Sequence, residues 1–157
     1  MAYETWDDAS KDAVSIIFEL VRPKVKPTLA GIRTSLDDFI KDLWPAPAGH
    51  SKAAASFANL GADALELAMA SGFSLTASGI HKILVRKQKD YGPENIRRFG
   101  RQGLMVRLHD KVARLENLTG SNRTPNNESI EDTFIDIVGY CAIGIMWEQR
   151  NFLLPLS

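Results

Sequence analysis

The sequence has a single cysteine, Cys141, so no disulfide can form within the chain. It also lacks a charge bias. Nineteen basic residues offset nineteen acidic ones, which removes the electrostatic footprint of a protein that holds nucleic acid or an anionic membrane by bulk charge. No run approaches the roughly 18 apolar residues of a spanning helix, and MAYETWDDASKD at the N-terminus is acidic where a signal peptide is basic and then apolar. His50, His81 and His109 are scattered, without companions at zinc-ligand spacing. Strict alternation of apolar and polar residues is scarce, so a sheet is not expected. These absences point to a cytoplasmic protein with no nucleic-acid or membrane partner. Its 157 residues suit one domain with a sizeable core.

Helical periodicity runs through most of the chain, and the expectation is an all-α bundle of about five or six helices. A first helix is predicted from Asp7 to Val21, ended by the prolines of RPKVKP, and a second from Thr28 to Leu43. WPAPAGH is the clearest break. An alanine-rich helix follows from Ser51 to Met69, and another from Ser74 to Lys89; as an alternative, the stretch from Pro45 to Gly72 is partly irregular and serves as a lid. DYGPEN has turn chemistry. A helix from Leu104 to Leu118 and a last one ending near Arg150 complete the bundle, with GSNRTPNN between them and Asn127 as a candidate N-cap. Because that linker is short, these two helices should form an antiparallel hairpin. The apolar tail NFLLPLS should pack on the domain or on another subunit. Residues 1–75 form a helical half of no evident role, and residues 76–150 carry the motifs.

Chemistry concentrates in ESIEDTFIDIVGY. Glu128, Asp132 and Asp136 recur every four residues and so form one row on a helix. Unpaired, they would repel by a few tenths of a kcal/mol per pair. A solvated acidic face is the ordinary outcome of such a row. Here it runs on into Gly139, Ile143 and Met146, so a neighbouring element should cover it. Carboxylates held under cover favour a hard cation, and an oxygen-only set suits Mg²⁺ or Mn²⁺. On the preceding helix Asp110 either pairs with Arg107 or Arg114 at the surface or supplies a carboxylate opposite the row while the cations contact phosphate. The hairpin should bring Asp110 near the row. Upstream, Lys87, Lys89, Arg97, Arg98 and Arg101 cluster around glycine-rich backbone, where a phosphate would find donors.

The ordered blocks DYGPENIRRFGRQG, RLHDKVARLENL and NESIEDTFIDIVGYCAI resemble the nucleotide-modification-associated domain of phage and bacterial proteins, a branch of the MazG-like all-α nucleotide pyrophosphohydrolases. The resemblance spans roughly Lys82 to Met146. In the wider superfamily an E-x-x-E pair on one helix and an E-x-x-D pair on the next hold Mg²⁺ on a triphosphate while water attacks. This sequence departs from that pattern: Thr133 stands three residues before Asp136, and the preceding helix offers only Asp110.

The resemblance implies a nucleoside triphosphate substrate, cleaved to the monophosphate and pyrophosphate, with Mg²⁺ or Mn²⁺ held by Asp110, Glu128, Asp132 and Asp136. Glu128 or Glu131 would accept the proton of the attacking water. Lys87, Lys89, Arg107, Lys111 and Arg114 would hold the phosphate tail, and Asp90, Tyr91 and Asn95 the base or sugar. It further implies a homo-oligomer, dimer or tetramer, in the host cytoplasm if the chain is phage-encoded, where it would shape a nucleotide pool. The competing reading, favoured by the missing glutamates, is a sensor or sequestering protein that binds nucleotide without turnover.

Overall fold

In a computed structural model, described for residues 3–22, 26–44, 48–121 and 129–157, the helical reading holds. The described residues form α1 (Trp6–Leu20), α2 (Leu29–Leu43), α3 (His50–Ala70), α4 (Ala77–Tyr91), α5 (Glu94–Arg97), α6 (Gly100–Gly120) and α7 (Ile130–Glu148), with no strand among them. None of these helices is long and apolar enough to cross a membrane.

Local chemistry sets the helix starts. The hydroxyls of Thr5, Thr28, Thr76 and Ser129 accept hydrogen bonds from the backbone N–H of Asp8, Gly31, Gly79 and Asp132, at 3.0–3.1 Å. Each satisfies one of the donors a helix start leaves without a partner. The cap of α7 is therefore Ser129, and the expected Asn127 lies outside the described residues. The turn DYGPEN divides into a left-handed Gly92 (φ +66°) that stops α4, and Pro93, which opens the short α5.

At the centre, α7 is buried nearly all round, as its almost wholly apolar second half requires. It packs chiefly on α3, α6 and α1. Small residues let α3 and α7 approach closely. A Cβ added at Gly61 would lie 2.9 Å from Ile17 Cδ1 and 3.0 Å from Cys141 Cβ, and one added at Gly144 would overlap the Phe57 ring. Thus α3 is a continuous core helix, and the alternative of an irregular lid between Pro45 and Gly72 does not hold for residues 50–70.

The tail folds back on its own domain. Phe152 is buried edge-on against Trp6, with ring centroids 6.1 Å apart. The carbonyls of Pro155 and Leu156 accept from the N–H groups of Trp6 and Asp7, at 2.6 and 3.2 Å. Two more donors at the start of α1 are satisfied in this way.

Candidate functional site

The expected hairpin is formed by α6 and α7, and its register can be followed through side-chain pairs: Arg101 with Glu148, Arg107 with Tyr140, Lys111 with Asp136 and Arg114 with Thr133. Each step forward on α6 matches a step backward on α7, so the helices run antiparallel. This register brings Lys111 to Asp136. A residue of helix subtends about 100°, so Asp110 points away from α7 into solvent, which corrects the expectation that it lies beside the acidic row.

Asp136 is the hub of the site. Its Oδ2 accepts from Lys111 Nζ of α6 at 2.7 Å, and its Oδ1 from Lys87 Nζ of α4 at 2.8 Å. The carboxylate side chain is only 11% exposed. Burial pushes its pKa up, but hydrogen bonds from Lys111 and Lys87 and their charges outweigh that and hold it below the usual carboxylate range.

Beside this triad lies a pocket of ≈ 350 Å³ between α4, α5, α6 and α7, a size suited to a small ligand. Three cations, Lys87, Arg107 and Lys111, line it with a single carboxylate, Asp136. The remaining wall is apolar, from Ile80, Leu84 and Ile143 among others. Arg107 lies over the Tyr140 ring, 5.7 Å from its centroid, and donates to the backbone carbonyl of Asn95 at 3.5 Å. Asn95 also lines the pocket, and its side-chain Oδ1 is buried without a hydrogen-bond partner among the described residues. Such an atom costs free energy until a donor reaches it. Tyr91, 68% exposed, stands at the rim.

Six of the residues singled out in the sequence therefore meet here: Lys87, Tyr91, Asn95, Arg107, Lys111 and Asp136. Others do not. Lys89, Asp90 and Asp132 are exposed, and Glu131 is half-buried outside the pocket lining. Arg114 donates to the Thr133 hydroxyl, one turn from the pocket. Glu128 lies outside the described residues. Among the described residues, no three His, Cys, Asp or Glu side chains come together as a metal site. One carboxylate between two ammonium groups is a poor donor set for a divalent ion, so the four-carboxylate arrangement expected for Mg²⁺ or Mn²⁺ does not fit the residues in view. Tyr140 and Gln88 also line the pocket. Tyr140 was legible, since it stands four residues after Asp136 on the same helical face.

Residues 87–147 match the family model described as nucleotide modification associated domain 1. The matched segment begins at Lys87 and takes in α5, α6 and nearly all of α7, so it contains the pocket's charged groups Lys87, Arg107, Lys111 and Asp136. The family's description agrees with the branch that the three sequence blocks resemble. No curated protein and no solved structure matches the chain.

Proposed function

We propose that the pocket between α4, α6 and α7 binds a nucleoside triphosphate and that the chain hydrolyses it to the monophosphate and pyrophosphate. The observation that carries this reading is the convergence of Lys87, Arg107 and Lys111 on one cavity with a single acid. That excess of positive charge suits a polyphosphate, for which lysines act as point charges and an arginine as a fork. The unpartnered Asn95 Oδ1 and the rim ring of Tyr91 suit a base that donates a hydrogen bond and stacks.

In the reaction, water adds to the α-phosphorus, the α–β anhydride bond breaks, and pyrophosphate leaves. The lysines that hold Asp136 turn to the phosphates and stabilise the charge of the leaving group. Released from them, the Asp136 carboxylate takes the water's proton, a role the resemblance also offers to Glu128 or Glu131. A divalent ion, Mg²⁺ or Mn²⁺, belongs to the substrate and arrives on its phosphates. The homo-oligomer that the resemblance implies belongs to the same reading.

A second reading, binding without turnover, is favoured by one observation: Asp136 is already engaged by two lysines, and no other described carboxylate lines the pocket. Product analysis separates the two. Purified protein is incubated with each common NTP and dNTP, with and without Mg²⁺ or Mn²⁺, beside an Asp136→Asn sample. Metal-dependent monophosphate and pyrophosphate that vanish in the variant support hydrolysis. Thermal stabilisation by nucleotide without products supports the binding protein, and neither turnover nor binding refutes both.

A further inference from the structure

On the other side of α5 from the pocket lies a second concavity, an open groove of ≈ 400 Å³. Its floor is a buried ion pair. Arg101 Nε donates to Glu148 Oε2 at 2.9 Å and its Nη2 to Oε1, while its Nη1 and Nη2 reach the carbonyls of Leu43 and Ala48 at 3.3 and 3.1 Å. His50 Nδ1 lies 2.9 Å from Glu148 Oε1. Both oxygens of Glu148 are thus engaged, and the floor presents no open carboxylate to an anion. The floor is also fixed: it pins the end of α2 and the approach to α3 to the end of α7.

The groove walls are aromatic and basic. Trp44, Phe99 and Trp147 supply aromatic rings, Phe99 being 65% exposed. Arg97 and Arg98 supply positive charge. Arg97 is 3.4 Å from Glu94, but Arg98 has no carboxylate partner among the described residues and lies over the Phe99 ring, 5.8 Å from its centroid. Exposed rings beside arginines bind stacked bases and their phosphates. The zero net charge of the chain argues against a long polyanion here and for a small one.

We infer that this groove is a second nucleotide site, in which a base stacks on Phe99 and the Trp44 and Trp147 rings and Arg98 and Arg97 hold the phosphate. The two sites share α5: Asn95 and Ile96 face the first, Arg97 and Arg98 the second. Occupancy of the groove therefore bears on the position of Asn95.

Tryptophan fluorescence reads the groove selectively, because two of the three tryptophans line it, the third, Trp6, is fully buried, and the first pocket is lined by none. The probe is dAMP, which the proposed reaction cannot cleave. The expected result is saturable quenching that Arg98→Glu and Phe99→Ala each weaken about tenfold, the loss of one charge-assisted or stacking contact, and that Lys111→Gln leaves unchanged. Persistence in Lys111→Gln separates this site from the first, so it can stand or fall without the hydrolase reading. Three results would overturn it: no quenching, quenching indifferent to Arg98→Glu, or inorganic phosphate competing as well as dAMP. A fluorescence change on diluting the protein alone would instead assign the groove to a second copy of the chain.

Discussion

Replacing Asp136 with asparagine tests the hub directly. The wild-type carboxylate takes one charge-assisted hydrogen bond from each of two lysines, at 2.7 and 2.8 Å. Such bonds contribute about 1.5–3 kcal/mol each, against about 1 for a neutral one. Asparagine keeps one acceptor oxygen and loses the charge. Lys87 is 49% exposed, so its share is discounted for solvent, whereas Lys111 at 20% keeps most of its own. The net expectation is a loss of about 2 kcal/mol, or about 4–8 °C in Tm for a chain of this length. The sign of the pH dependence follows from the lowered pKa of Asp136. Its contribution is fully present above the unfolded carboxyl value of about 3.9 and disappears as pH falls through the lower folded value. Urea titrations of both proteins at pH 7, 5 and below 4 should therefore show a constant gap that closes only in the acid arm. Binding should move the other way: without a competing carboxylate the two lysines turn to phosphate, and pyrophosphate binds more tightly in the variant. A gap below about 0.5 kcal/mol at pH 7, the scatter of an ordinary surface substitution, would refute the reasoning. So would a gap that ignores pH.

Three further outcomes follow from the fold. Glu148→Ala removes the carboxylate that takes two hydrogen bonds from the buried Arg101, and should cost about 3 kcal/mol in urea unfolding, with much of it regained when Arg101→Met is added. Gly144→Ala drives a methyl into the Phe57 ring and should cost about 1–3 kcal/mol by overpacking, seen as a lower urea midpoint with an unchanged slope. Cys141 is fully buried, and burial pushes its thiol far up, so a chromogenic thiol reagent should leave the native protein unmodified and titrate one equivalent after denaturation.

Most helices were legible from apolar spacing, and in α1, α2, α4 and α7 a capping hydroxyl agrees with it: Thr28 starts α2 and Thr76 starts α4, each one residue before its helix. The start of α6 was not. Gly100 and Gly103 look like punctuation, so a helix is expected only from Leu104, yet α6 begins at Gly100. There a Cβ would sit 2.8 Å from the Trp147 ring, and at Gly103 2.8 Å from Phe99 Cβ. Gly103 makes room for Phe99 one turn earlier, and Gly100 for Trp147, a neighbour distant in the chain. The site was legible as a set of residue types and not as an arrangement. Lys111, Lys87 and Asp136 are each conspicuous in the sequence, but their mutual pairing depends on the rotation of α6 against α7, and a shift of one residue exchanges Lys111 for Asp110. The acidic row separates in the same way: Asp136 goes under α4 and α6, while Asp132, one turn earlier, remains in solvent.

The central place of α7 also has a consequence for how the protein comes into being. Among these helices α7 is translated last, yet its partners α1 and α3 are made first. As synthesis proceeds from the N-terminus, the early helices wait with the apolar surface that α7 will cover still open. The pocket closes only when Asp136 and Tyr140 have left the ribosome. A nascent chain stalled before α7 would leave the centre of the core and the site open, whereas arrival of α7 completes both at once.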